Sequence, residues 1–107
     1  MQELIGKVVQ WAEDRNLIEG SSPEKQLQKT AEELIELAVA VGRYTVADDE
    51  FVYLDECVDG IGDVLVTLII VTEQLGLDLK ECLAQAYDEI KDRKGKMISG
   101  KFVKEIS

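Results

Sequence analysis

The chain has no histidine among its 107 residues, and this absence removes a large class of chemistry. A Cys-His nucleophile is excluded, and so is the Glu-x-x-His motif that holds the irons of di-iron helical bundles. The sequence has a single proline, Pro23, and only one tryptophan, three tyrosines and two phenylalanines. Few aromatics and one proline favour a helical protein over a sandwich or a barrel. Without imidazole, a metal site in this chain would be built from oxygen ligands.

Basic residues are also scarce, because 12 Lys and Arg stand against 22 Asp and Glu, giving a net charge of −10. A chain without a basic footprint is not expected to bind a nucleic acid polymer. A phosphorylated small ligand remains compatible with this charge if metal ions separate the two sets of negative charges. The sequence therefore favours a small-molecule ligand over a polymer.

Long apolar runs are missing as well. The most apolar stretch is residues 64–71, in which only Thr67 is polar, and it is far too short to cross a bilayer. The first residues lack the basic and apolar regions of a signal peptide. We therefore expect a cytoplasmic protein with no membrane contact, in which Cys57 and Cys82 are reduced packing residues.

Hydrophobic periodicity predicts four helices over residues 2–16, 23–44, 50–75 and 79–94, with a short acidic connection at residues 45–50. Ser22 is the expected N-cap of the second helix, Gly76 closes the third, and Asp78 caps the fourth. After Gly95, Ser99-Gly100 separates two short alternating segments, which indicates a two-residue hairpin or an extended arm. The sequence thus predicts a single all-α domain over residues 1–107, a four-helix bundle subunit with this C-terminal appendage.

Six carboxylates on the second and third helices are the most informative feature of the chain. They are Glu32, Glu33 and Glu36, and Glu56, Asp59 and Asp63. At about 100° per residue, each set falls within one arc of its helix, and Lys29 projects into the first arc. The second set leads directly into the apolar run, and a buried carboxylate without a partner is very costly. We expect the two sets to face each other and to hold Mg²⁺, with Mn²⁺ possible; the alternative is a solvated charged surface.

Two further groups are candidates for binding a nucleotide. Lys91, Arg93, Lys94 and Lys96 cluster at the end of the fourth helix, where they could bind phosphates or simply stabilise the helix dipole. Trp11 could stack on a base, although core packing or an interface is at least as good an explanation, and Asn16 could contact the base or the sugar.

The order and spacing of these motifs resemble the MazG-type nucleotide pyrophosphohydrolases of the all-α NTP pyrophosphatase superfamily. Four segments carry the resemblance over nearly the whole chain: Glu-Glu-x-x-Glu at 32–36, Gly-Asp-Val-Leu at 62–65, Leu-Gly-Leu-Asp at 75–78 followed by Glu81, and the basic segment 89–97, which is similar to that of small phage-type members. The resemblance implies the fold of that superfamily, a homodimer or a homotetramer, and Mg²⁺-dependent hydrolysis of a (d)NTP to the monophosphate and pyrophosphate.

The resemblance also implies roles for individual residues. Glu33, Glu36 and Asp63 would bind metal. Glu32 would bind a second metal or orient the attacking water, for which Glu36 is the other candidate general base. Lys29 and the basic tail would contact substrate.

The chain departs from the family at one ligand position. The family has Glu-x-x-Asp in its second motif, and this chain has Gly60 where that Glu belongs. Asp59 is the first candidate substitute and Glu56 the second. A same-fold enzyme for dUTP or another nucleotide and a non-catalytic helical regulator are the alternatives.

Overall fold

Four helices and a C-terminal β-hairpin make up the part of the chain that the structure describes. This computed structural model describes residues 1–47 and 53–105 in full and the backbone of residues 50–52. The elements are α1 (Gln2–Asp14), α2 (Pro23–Val46), α3 (Glu50–Gln74), α4 (Leu79–Ile90), β1 (Gly95–Ile98) and β2 (Lys101–Lys104). The predicted all-α fold with a C-terminal hairpin is confirmed. None of the described helices is both long and apolar enough to cross a membrane.

Local sequence signals set the ends of these elements. The Ser22 hydroxyl accepts a hydrogen bond from the Lys25 N–H, with Pro23 at the first helical position. Gly76 adopts φ +69° at the end of α3, where the Leu77 N–H donates to the Thr72 carbonyl, as in a Schellman motif. Ser99 and Gly100 both have positive φ, the geometry of a type I′ turn, so the C-terminal segment is a hairpin and not an extended arm.

The two long helices α2 and α3 pack against each other as an antiparallel pair and form the main contact of the fold. Two contacts fix their register. The Thr30 and Thr67 hydroxyls lie 2.8 Å apart, and Leu37 packs on Gly60. Each hydroxyl also lies within hydrogen-bond distance of a carbonyl of its own helix, Gln26 for Thr30 at 2.9 Å and Val64 for Thr67 at 2.7 Å, so one of the two donates across the pair and the other donates to its own helix. These contacts define the line along which the two helices touch.

The remaining helices lie along α3. Helix α1 contacts α3, and the Gln74 amide donates to the Ile18 carbonyl, which ties the α1–α2 loop to the end of α3. The buried core is small: Ala12, Ala40, Cys57, Thr67, Ile69, Ile70 and Val71. The apolar composition of residues 64–71 predicts a buried helix. Leu65 is 37 % exposed, so this run of α3 is not fully covered.

Several predicted boundaries are wrong. Helix α4 ends at Ile90, four residues before Lys94, and Gly95 begins β1 instead of ending a helix. Helix α1 stops at Asp14, and Asn16 lies in a turn with φ 57°. Helix α2 continues to Val46, and residues 48 and 49 of the predicted acidic connection lie outside the described residues. Cys82 is exposed and does not pack, whereas Cys57 is buried as expected.

Candidate metal centre

The register of α2 and α3 brings two of the predicted ligands to the same level. The Thr30–Thr67 and Leu37–Gly60 contacts lie seven residues apart on each helix. Between them, Glu33 is three residues beyond Thr30, and Asp63 is three residues beyond Gly60 and four before Thr67. Because the helices are antiparallel, Glu33 and Asp63 stand opposite each other, within about one residue rise of 1.5 Å along the axes.

The two residues also lie on the same side of the helix pair. At about 100° per residue, Glu33 and Asp63 are each rotated about 50° from the line of contact, and in the same sense. In an antiparallel pair, equal rotations bring residues to one side. Glu36 and Asp59 are rotated about 90–110° in that sense and flank the first two residues. We name these residues, with Glu32 and Glu56, the acidic face.

Glu33 is the most protected carboxylate of the acidic face, because its side chain is only 13 % exposed. The Lys29 ammonium lies 3.3 Å from Glu33 and 3.7 Å from Glu32. The pKa of Lys29 is raised above its ordinary value, first by its hydrogen bond to Glu33, and then by the negative charges of Glu33, Glu32 and Glu36. The Lys29 ammonium therefore partly neutralises the negative charge of Glu33, the carboxylate predicted to bind a divalent cation.

The structure distinguishes the two candidates for the fourth ligand. Glu56 lies seven residues from Asp63, about 10 Å along α3, and its carboxylate is 3.7 Å from the Arg43 guanidinium. Asp59 lies one helical turn from Asp63, on the same side of the pair. Asp59 is therefore the better-placed substitute, and Glu56 belongs to a separate ion pair. Arg43 is a single basic residue in the last turn of α2, and no pattern in the sequence distinguishes it.

Gly60 lies at a point of close contact between α2 and α3. A Cβ built on Gly60 would be 3.0 Å from Leu37 Cδ1 and 3.4 Å from Leu37 Cα. Ordinary carbon contacts are about 3.5–4.0 Å, so a Cβ at this position would require Leu37 to move by a few tenths of an ångström. Gly60, which stands where the resemblance leads one to expect a ligand, therefore has a packing role. A Cβ on Gly62, two residues later, would meet no atom within 4 Å.

The acidic face is more open than the sequence suggested. Glu36, Asp59 and Asp63 are exposed, and the side chain of Glu32 is 67 % exposed, so only Glu33 lies at a protected edge. Among the side chains of residues 1–47 and 53–105, no three acidic or cysteine groups converge closely enough to hold a metal ion. The oxygen-only donor set fits Mg²⁺ or Mn²⁺ chemically. To bind the ion, the side chains would have to turn toward each other and Lys29 would have to leave Glu33.

The predicted phosphate-binding residues lie elsewhere in the fold. Lys91 and Arg93 follow α4, Lys94 precedes β1, and Lys96 lies in β1 opposite Val103. Lys91 contacts Asp88 at 3.3 Å. In the part of the chain that the structure describes, no ion pair joins these four basic residues to the acidic face. A single chain therefore does not bring the two charged groups into contact.

The residues proposed to contact the base lie near the other end of α3. Trp11 is 43 % exposed, and the Arg15 guanidinium stacks 4.6 Å from the centre of its ring. Asn16 lies just before Ile18, whose carbonyl accepts a hydrogen bond from Gln74. Gln74 is eleven residues from Asp63, so the two residues are about 16 Å apart along α3. Trp11 is thus not buried in the core, and Asn16 lies far from Asp63 along α3.

The chain is similar to an uncharacterized phage protein. The chain is 40 % identical over 78 residues to a protein of Haemophilus phage HP1, described as an uncharacterized 18.2 kDa protein in the rep-hol intergenic region. The match covers 73 % of this chain, whereas the chain spans about 43 % of the phage protein. No protein-family profile matches the chain. No solved structure matches it either.

Proposed function

We propose that the protein is a Mg²⁺-dependent nucleoside triphosphate pyrophosphohydrolase. The observation that carries the proposal is the position of Glu33 and Asp63, opposite each other and on the same side of the α2–α3 pair. Carboxylates from facing helices are a common way to hold divalent cations in a helical fold. The resemblance to MazG-type enzymes, stated from the sequence motifs, supplies the reaction.

In this proposal Glu33, Glu36 and Asp63 would bind Mg²⁺ or Mn²⁺. Asp59 would replace the Glu that the family has where this chain has Gly60. When bound, the ion polarises the phosphate chain and lowers the pKa of a bound water. Glu36 or Glu32 orients that water as general base. The bond between the α and β phosphates is broken, water adds a hydroxyl to one product and a proton to the other, and the products are the monophosphate and pyrophosphate.

The protein's cations have separate roles in this scheme. Lys29 pairs with Glu33 in this structure, and its ammonium would contact the phosphate chain when Glu33 serves as a metal ligand. The basic residues at 91, 93, 94 and 96 bind the pyrophosphate end of the substrate, and Trp11 with Asn16 contacts the nucleoside. We further propose a homodimer or homotetramer in the cytoplasm, a compartment that suits the two free cysteines.

Product analysis tests the activity directly. The protein would be incubated with canonical and modified NTPs and dNTPs, including dUTP, in Mg²⁺ or Mn²⁺. Glu33→Gln and Asp63→Asn would be compared with Glu73→Gln, which removes an exposed carboxylate about 15 Å further along α3. We expect monophosphate and pyrophosphate from the wild type and from Glu73→Gln, and at least about a hundredfold loss in the other two variants.

The outcome also separates the alternatives. Turnover of dUTP alone would identify a more specific enzyme with the same site. Diphosphate and phosphate as products, or activity that persists in Glu33→Gln and Asp63→Asn, would refute the proposed chemistry. Metal binding without turnover of any nucleotide would indicate a non-catalytic helical regulator.

A further inference from the structure

Trp11 and Arg15 form a stack at the end of α1. The guanidinium carbon of Arg15 lies 4.6 Å from the centre of the Trp11 ring, and Nη1 of Arg15 donates to the Trp11 carbonyl at 3.1 Å. The ring and the hydrogen bond together restrict the orientation of a side chain that is otherwise long and flexible. Both residues are exposed, with Trp11 at 43 %, so part of the indole and the outer edge of the guanidinium can contact a ligand.

The hydrogen-bond donors of Arg15 are only partly used. A guanidinium carries several N–H groups in a fixed fork, and Nη1 donates to the Trp11 carbonyl. Among residues 1–47 and 53–105, no acceptor takes a hydrogen bond from Nε or Nη2, and no carboxylate forms an ion pair with Arg15. This holds although Glu13 and Asp14 come directly before it. Arg15 therefore keeps an edge with two parallel N–H donors available to a ligand.

The stack lies on the same side of the α1–α3 pair as Asp63. A groove on the other side is lined by Val9 and Glu13 of α1 and by Thr72 of α3. At about 100° per residue, Trp11 is rotated about 160° around α1 from each of these two α1 residues. Asp63 is nine residues from Thr72, which corresponds to about 180° around α3. The stack and the acidic face therefore lie on one side of the protein, as the base and the phosphates of one nucleotide would require.

We propose that Arg15 determines which base the protein accepts, by donating two hydrogen bonds from its free edge to two neighbouring acceptors of the base. The inference rests on the proposed function, in which Trp11 contacts the nucleoside. Guanine presents O6 and N7 side by side, and cytosine presents N3 and O2. Adenine has an amino group beside N1 and N7, and uracil has an N–H between its carbonyls, so neither offers two adjacent acceptors. The preferred substrates are therefore nucleotides of guanine or cytosine.

Phosphate is another ligand with adjacent acceptors. The position of Arg15 favours a base, because a planar base can contact the exposed part of the indole while it accepts from the guanidinium, whereas a phosphate gains nothing from the ring. A change at Arg15 distinguishes the two ligands. Loss of a base contact alters the preference among bases, and loss of a phosphate contact weakens all nucleotides equally.

The fluorescence of Trp11 measures binding at this position without any turnover, because Trp11 is the only tryptophan of the chain. The wild type would be titrated with dGMP, dCMP, dAMP and dUMP, with free N-acetyltryptophanamide as the reference for quenching in solution. We expect dGMP, dCMP or both to bind about tenfold to a hundredfold tighter than dAMP and dUMP, the discrimination that one bidentate pair provides. Tighter binding of dGMP than of 7-deaza-dGMP, which lacks N7, would identify guanine, and tight binding of dCMP alone would identify cytosine.

Two variants make the test specific to the fork. Arg15→Lys keeps the charge of an exposed side chain but loses the paired donors, and it should remove the preference among bases. Arg43→Lys makes the same change at the ion pair with Glu56, and it should keep the preference. The circular dichroism of both variants should match that of the wild type, because both arginine side chains are exposed.

Equal binding of the four monophosphates would overturn the inference. So would the absence of any fluorescence change, or an Arg15→Lys variant that weakens all four by the same factor. The proposed activity fails on different evidence. No hydrolysis of any triphosphate, with base-selective binding intact, would refute the reaction and leave the role of Arg15 standing. Hydrolysis of dGTP, dCTP, dATP and dUTP with equal kcat/KM would refute the role of Arg15 and leave the reaction standing.

Discussion

The close approach at Gly60 leads to a prediction with opposite signs at two neighbouring glycines. Gly60→Ala and Gly62→Ala make the same chemical change within α3. In an exposed helix interior, alanine is favoured over glycine by about 0.5–1 kcal/mol. A Cβ at Gly62 enters open space, so Gly62→Ala should stabilise the protein by about that amount.

At Gly60 the same gain is opposed by a steric cost. The added Cβ would lie 3.0 Å from Leu37 Cδ1 and 3.3 Å from Leu37 Cβ, with backbone Leu37 Cα at 3.4 Å. Overpacking of this kind costs about 1–3 kcal/mol, so the net change for Gly60→Ala is about 0–2 kcal/mol of destabilisation. The two variants should therefore differ in their free energy of unfolding by about 1–3 kcal/mol.

Urea unfolding followed by circular dichroism at 222 nm measures this difference. The protein concentration must be the same for all variants, because the stability of an assembled protein depends on it. The slope of the unfolding free energy against urea should not change. If Gly60→Ala were stabilised as much as Gly62→Ala, the Leu37–Gly60 contact would not be a point of close packing, and the register drawn from it would be refuted.

Three other changes test the remaining parts of the structure. Lys29→Met should tighten Mn²⁺ binding several-fold by freeing Glu33, as titration calorimetry would measure, and weaker Mn²⁺ binding would contradict a competition between Lys29 and the metal ion. The small stabilisation from the Lys29–Glu33 pair should be present below pH 10.5, the ordinary pKa of lysine, and should disappear as the pH rises through the raised pKa of Lys29. Thr67→Val and Thr30→Val each remove one hydroxyl of the pair and should each cost about 1 kcal/mol in urea unfolding, with the larger loss for the more buried Thr67; no loss in either variant would argue against the hydroxyl pair. Deleting residues 95–107 should shift the unfolding temperature by less than about 3 °C, because both strands are exposed. The deletion should also raise KM for the nucleotide. A large loss of helical signal in circular dichroism would show instead that the hairpin supports the helices.

The sequence by itself determined the helices, because their signals are local. Ser22 with Pro23, Gly76 and Asp78 each act through bonds to backbone groups a few residues away, and each lies where the structure ends or begins a helix. The two-residue turn at Ser99-Gly100 is equally local. The end of α4 was predicted four residues too late, since Lys91 and Arg93 are compatible with a helix and nothing in the local sequence stops it at Ile90.

The sequence also identified the carboxylates as two sets, because helical spacing fixes which residues share a face of one helix. It could not decide which residue of α2 stands opposite which residue of α3. That register depends on contacts between residues 23 and 37 positions apart in the chain, Leu37 with Gly60 and Thr30 with Thr67. Such contacts leave no periodic signal within either helix. Tertiary packing alone therefore set Glu33 opposite Asp63, paired Glu56 with Arg43, and left the opposite side of the helix pair apolar and exposed.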